Sequence, residues 1–211
     1  MVTNVESAII ENLLQIKAIK LQPENPFTWA SGWKSPIYCD NRKTLSYPAV
    51  RECLKQAFAE KVKAMYPDVE VIAGVATGAI AVGVLVAEAL NLPFIYVRSA
   101  SKDHGLGNQI EGYYEEGQKV VVIEDLISTG GSSLKAVEAL RGANVNVLGM
   151  LAIFTYQFNV SVEAFANAHC KVDTLTNYTA LIELATERNY ISPAQMESLK
   201  EWRQHPDTWG K

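Results

Sequence analysis

The run VVVIEDLISTGGSS, Val120 to Ser133, carries the residue types most able to do chemistry in this chain. An apolar stretch ends in two adjacent carboxylates, Glu124 and Asp125, followed by a turn of hydroxyls and glycines that opens into a helical pattern. Gly130 and Gly131 allow backbone conformations closed to other residues and a close approach to a ligand. The amide N–H groups of such a turn converge where the helix dipole also favours an anion. Ser128, Thr129 and Ser132 add hydroxyl donors, which makes a cradle for one phosphate. The acids just upstream would repel that phosphate and are better suited to gripping a neutral diol beside it. A phosphate at one end and a diol at the other describe a ribose 5-phosphate. The plainer alternative is an ordinary strand–turn–helix in which serine and glycine only cap the helix. No Gly-Lys-Ser/Thr follows, as a Walker loop needs, and the run has no GxGxxG fingerprint.

A second group lies in YVRSASKDHGLGNQIEG, Tyr96 to Gly112, where Arg98, Lys102 and His104 gather potential cations in a stretch punctuated by Gly105 and Gly107. Cations on a mobile loop suit a substrate that must enter, be enclosed and leave. A third, weaker signal is Ala76-Thr77-Gly78, small residues between an apolar run and a helical one, which allow close approach of another anion. A fourth is the aromatic stretch FTWASGWKSPIYCDNR, Phe27 to Arg42, broken by Gly32 and Pro36 and expected to form a short hairpin or loop.

Together these segments resemble the type I phosphoribosyltransferases, and within them the orotate phosphoribosyltransferases, from about residue 20 to residue 155. The Lys-Asp-His-Gly element, Lys102 to Gly105, is the most specific part of the likeness. The resemblance implies phosphoribosyl pyrophosphate (PRPP) held by Arg98, Lys102, His104, Glu124, Asp125, Leu126, Ile127, Ser128, Thr129, Gly130, Gly131 and Ser132. It makes Ala76, Thr77 and Gly78 the pyrophosphate loop, and Lys102, Asp103 and His104 the catalytic loop residues. Mg²⁺ would arrive on PRPP near Glu124 and Asp125. The loop is expected to reach a neighbouring subunit's site, hence a homodimer. Orotate would be contacted by Ser128, Lys34, Tyr38 and Arg42. The chain departs from familiar members at Ala30 and Ser99, where lysines are common, and near Tyr156, where some members carry an arginine. Arg42 or Lys34 is expected to compensate. The competing readings are a relative acting on a purine or uracil, and a non-catalytic PRPP sensor.

These residues need elements to hold them. Val5, Ile9, Leu13, Ile16 and Ile19 keep helical spacing over residues 4–19, and a helix follows Pro48 with Val50, Leu54, Phe58 and Val62 on one face. Apolar runs at 69–73, 93–97, 119–124 and 145–154 read as buried strands, with a further one at 171–175 and helices at 78–90 and 132–140. Strand–helix alternation predicts a mostly parallel sheet flanked by helices. The expected architecture is one α/β domain over 1–211 of the type I phosphoribosyltransferase fold. A core of about 46–180 would carry a small hood from 1–45 and the chain end.

The 211 residues suffice for one large core, and 48% hydrophobic with 20% charged residues is ordinary for a globular protein. A net charge of −4 argues against a general nucleic-acid binder. Cys39, Cys53 and Cys170 lack any ligand spacing and read as reduced thiols. The opening residues lack a signal-peptide pattern and no stretch is long enough to span a bilayer, so a cytoplasmic location without membrane attachment is expected.

Overall fold

A computed structural model of the chain describes residues 4–29, 32–98 and 109–210. The elements run α1 (Asn4–Gln15), β1 (Ile19–Leu21), β2 (Phe27–Thr28), β3 (Lys34–Ser35), β4 (Ile37–Cys39), a 3-10 turn (Asn41–Ser46), α2 (Pro48–Met65), β5 (Val71–Val75) and α3 (Ile80–Leu90). They continue through β6 (Phe94–Val97), β7 (Ile110–Glu111), β8 (Lys119–Ile127), α4 (Gly131–Gly142), β9 (Asn146–Thr155), α5 (Asn159–Asn167), β10 (Val172–Asn177), α6 (Tyr178–Glu187) and α7 (Pro193–Gln204).

The central sheet has the order β10-β9-β8-β5-β6-β7, and every pairing is parallel except β6 with β7. Its strands are apolar on both faces because helices cover both. One face packs on α1, α2, α3, α6 and α7 through residues such as Ile72, Val121, Leu151 and Tyr178. The other packs on α4 and α5 through Ala73, Val122, Val137 and Phe165. From β5 the chain moves to β6 on one side and later to β8 on the other, so the order reverses between β5 and β8. Ligands of open α/β sheets bind at the carboxyl ends of the strands beside such a reversal.

The hairpin β2–β3 and the pair β1–β4 form two small antiparallel sheets outside the central one. The first helix is shorter than its apolar spacing predicts. Lys17 adopts φ 55° and ends it, and Ile19 enters β1. The strand expected to end at Glu124 continues to Ile127. Among the described residues no helix is long and apolar enough to cross a membrane, and the three cysteines are free.

Candidate functional site

β5 pairs with β8 only as far as Gly74 opposite Ile123, whereas β8 continues beside β9 to Ile127 opposite Thr155. Glu124 to Ile127 therefore border an open crevice where β5 has ended. The Asp125 carbonyl accepts a 2.6 Å hydrogen bond from the Asn41 side-chain amide of the 3-10 turn. Asn41 is itself buried, so the segment before α2 is tied to the crevice floor.

The two acids occupy different surroundings. Glu124 is only 4% exposed and accepts from Ser133 Oγ at 2.8 Å and from the Asp125 backbone N–H at 2.9 Å. Burial, and then the neighbouring Asp125 charge, pushes its carboxyl up to about 8. Asp125 lies against the loop after β5, where a Cβ on Gly78 would fall on its carboxylate. The structure thus joins the acid pair to the small-residue loop Ala76–Gly78. In that loop the Ala76–Thr77 peptide is cis, Ala76 N–H donates to the Val97 carbonyl at 2.8 Å, and Thr77 is exposed.

Beyond β8 the turn reverses at Gly130, with φ 84°, and α4 begins at Gly131. No side chain caps this helix, so Ser128, Thr129 and Ser132 do not act as its cap. Its first amides are left for another acceptor. The two glycines play different parts. A Cβ on Gly130 would stand 2.9 Å from the Phe165 ring, whereas one on Gly131 would meet nothing within 4 Å and that residue has no positive φ. Gly130 is required by the fold, and Gly131 keeps space open above the helix start.

Val75, Ala76, Val97, Arg98, Gly131, Ser132 and Lys135 line a cavity of about 280 Å³ between the two loops. Among the described residues Arg98 Nη1 is buried without a hydrogen bond, 3.6 Å from Glu111. A second cavity of about 300 Å³ adjoins Ser128 and is walled by Thr28, Trp29, Tyr38, Cys39, Leu126 and Tyr156. Lys34 Nζ donates to Thr28 Oγ1 across the hairpin at 2.9 Å, and Arg42 Nε is paired with Asp40 at 2.7 Å. Burial, then the Asp125 and Asp40 charges, raises the Cys39 thiol well above its ordinary range and keeps it neutral.

Of the residues expected from sequence, Tyr38 and Ser128 line the second cavity, and so does Leu126, expected beside PRPP. Arg98, Ala76, Gly131 and Ser132 line the first. Lys34 stands at the hairpin beside Thr28, and Arg42 is engaged with Asp40. Lys102, Asp103 and His104 lie outside the described residues, as do Ala30 and Ser99. Sequence reasoning missed Asn41, Ser133, Trp29, Cys39 and Lys135, and gave Tyr156 no positive part. Ser133, nine residues after Glu124, lies in the run Val120 to Ser133, and Trp29, Cys39 and Asn41 lie in the run Phe27 to Arg42, but neither run shows which of its residues face the site.

Among the described residues no group of three or more His, Cys, Asp or Glu side chains could hold a metal ion. A magnesium ion held mostly by protein oxygens needs more carboxylates than this pair, but one carried on a polyphosphate with its own waters does not. Glu124 and Asp125 fit the second kind of site.

A family model described as Phosphoribosyl transferase domain matches residues 42–180. The orotate phosphoribosyltransferase of Porphyromonas gingivalis is 58% identical over 202 residues, covering 96% of each chain. That of Listeria innocua is 54% identical over 208 residues, covering 99% of this chain and 100% of its own. Among solved structures, Leishmania donovani UMP synthase superposes with a TM-score of 0.78 at 26% identity, over 94% of this chain and 42% of that one. The orotate phosphoribosyltransferase of Aeropyrum pernix gives 0.75 at 24% identity, over 87% and 99%, a likeness of fold.

Proposed function

Since this chain belongs to the orotate phosphoribosyltransferases, we propose that its crevice between β5 and β8 receives PRPP and that the adjoining aromatic cavity receives orotate. The reaction of the family displaces pyrophosphate from C1 of PRPP by N1 of orotate. A C–N bond forms, the C–O bond to pyrophosphate breaks, and the N1 proton is lost, giving orotidine 5′-monophosphate.

The observation that carries the assignment of sites is the uncapped start of α4, standing beside the contact of Asp125 with Gly78. In our reading the turn from Leu126 to Ser132 holds the 5-phosphate through its amides and hydroxyls. Asp125, with Glu124 behind it, holds the ribose hydroxyls, and Ala76–Gly78 receives the pyrophosphate. Arg98 borders that cavity, and Lys102 and His104 would neutralise charge on the departing group. Asp103 or His104 would assist the proton. Ser128 and Tyr38 face orotate, and Lys34 is better placed than the Asp40-bound Arg42 to supply positive charge. Bound Mg²⁺ would supply charge neutralisation on the pyrophosphate. No side chain need become a nucleophile, because orienting two bound substrates and stabilising the departing charge lower the barrier.

The hood in this reading is the segment 1–45 with the end of the chain, set over the core. A homodimer is supported by α3, which begins just after the pyrophosphate loop and is apolar nearly all round, with Val84 45% exposed.

The test is an assay of purified protein with PRPP and Mg²⁺, following loss of orotate absorbance, with uracil, hypoxanthine and adenine in parallel. Orotate alone should be consumed, and Lys102→Ala should lower kcat by about a hundredfold or more. Consumption of another base instead, or tight PRPP binding with no base consumed, would overturn the reading.

A further inference from the structure

Trp202 is separated in sequence from every residue of the orotate cavity, yet it is fully buried beneath that cavity's walls. It sits on α7, whose start is fixed by a capping box in which Ser192 and Gln195 satisfy each other's backbone. The helix is then pinned midway, where Tyr178 Oη donates to the Leu199 carbonyl at 3.0 Å. The inward positions of α7 are Leu199 and Trp202.

Four rings surround the Trp202 indole. Trp29 lies at 5.6 Å and 86°, Tyr156 at 5.7 Å and 80°, Phe158 at 5.3 Å and 67°, and Tyr178 at 5.3 Å and 45°. Trp29 and Tyr156 are walls of the orotate cavity, and Trp202 itself is not among its lining residues. Edge-to-face contacts of this kind fix ring orientation as well as distance. The indole also donates a hydrogen bond from Nε1 to the Lys34 carbonyl at 3.1 Å. Lys34 belongs to β3, which pairs with β2 opposite Thr28, the residue next to Trp29. Trp29 is bound to the same unit, with its N–H on the Trp33 carbonyl at 2.9 Å and its Nε1 on the Ile37 carbonyl at 3.3 Å. The hairpin is only two residues long on each strand, so contacts from outside it help to set its position.

We propose that Trp202 is a positioning residue for the base. It clamps the β2–β3 hairpin by one hydrogen bond and sets the Trp29 and Tyr156 rings by edge contact, so the chain end shapes the orotate cavity without touching orotate. Any buried indole N–H needs an acceptor, and a tryptophan that merely filled volume could take one on the sheet or on a neighbouring helix. Here the indole N–H is donated to the strand paired with β2, whose Thr28 and the adjoining Trp29 form part of the cavity wall. The proposal rests on the reading of this cavity as the orotate site.

Three variants separate the possibilities in steady-state kinetics. Trp29→Leu tests the cavity itself and should raise KM for orotate. Trp202→Phe keeps a ring but loses the N–H, and should raise KM for orotate by about five- to tenfold, the scale of one buried hydrogen bond. Its kcat and its KM for PRPP should stay within about twofold, since the phosphate turn is untouched. Tyr178→Phe removes a different pin of α7 and leaves the rings in place, so its KM for orotate should stay near that of the unaltered enzyme. An unchanged orotate KM in Trp202→Phe overturns the proposal, as does an equal rise in Tyr178→Phe. If Trp29→Leu is also silent, the cavity reading fails with it. Should Trp202→Phe not fold, ¹⁹F spectra of the intact protein labelled with 5-fluorotryptophan decide. Saturating orotate should move the Trp29 and Trp202 resonances together and leave Trp209 in place, and a stationary Trp202 resonance sinks the idea.

Discussion

Glu124 and Asp125 are adjacent in the chain, but burial gives them unlike chemistry. Glu124 is enclosed under α4 with Ser133, and its carboxyl is raised from 4.5 to about 8. The folded value lies above the unfolded one, so the group binds its proton more tightly in the folded state. Its contribution to stability is complete below about 4.5 and is lost as pH rises through about 8. The ligand-free protein should therefore lose stability between roughly pH 5 and 9 by an amount traceable to this one carboxyl. Glu124→Gln cannot ionise and still accepts from Ser133, so its unfolding temperature should fall less over that range. Thermal unfolding of both proteins at several pH values checks this, and parallel curves would show that Glu124 ionises freely where it stands. Sequence presents the pair as equals, because nothing in Glu-Asp says which carboxylate the next helix will cover.

The start of α4 shows the same limit one level up. Gly130 and Gly131 look interchangeable in the sequence, yet only Gly130 has positive φ and only its Cβ would strike Phe165. Gly130→Ala should cost about 1–3 kcal/mol of stability from backbone strain alone. Gly131→Ala should leave the unfolding temperature unchanged or slightly raised, because among the described residues an added methyl meets nothing within 4 Å, and it restricts the unfolded chain. On the proposed placement of the 5-phosphate it should nonetheless weaken PRPP binding, since the methyl would enter that space. Thermal unfolding beside a PRPP titration separates the two, and a Gly131→Ala protein with full PRPP affinity would move the phosphate elsewhere. The central strands were legible because each is an apolar run covered on both faces. Helices α5 and α7 were not, because α5 buries only Ser161 and Phe165 while α7 buries only Leu199 and Trp202, too few positions to show a period. The turn from β8 into α4 could be read because one contiguous strand–turn–helix contains it. The aromatic cavity as a whole could not, although Tyr38 and Ser128 were expected to share a ligand, since its walls come from residues 28–29, 38–39, 126, 128 and 156, joined only by folding.

At the scale of the whole molecule the outer side of α3 is unusual for a helix that faces water. Its sequence, IAVGVLVAEAL, has a single charged residue, Glu88, and Val84 is 45% exposed with Ala81 and Leu85 half-buried near it. A helix apolar on nearly all sides is stable where something covers it. A second copy of this chain is the economical cover, because a twofold interface presents the same patch to itself. Since α3 begins two residues after Gly78, such a partner would also stand next to the loop proposed to receive pyrophosphate, where on that proposal its own Arg98 to His104 segment would complete the site. Val84→Arg places two like charges opposite each other at that interface. The variant should sediment as a monomer and lose most of its kcat, while its unfolding shows an intact subunit core. Reaching a stable dimer takes roughly 800 Å² from each partner, so one helix face must be joined by neighbouring surface. Loss of activity on dilution of the unaltered protein, in step with its dissociation, would tie assembly to catalysis. A Val84→Arg protein that remains dimeric and fully active would place the subunit contact on a different face.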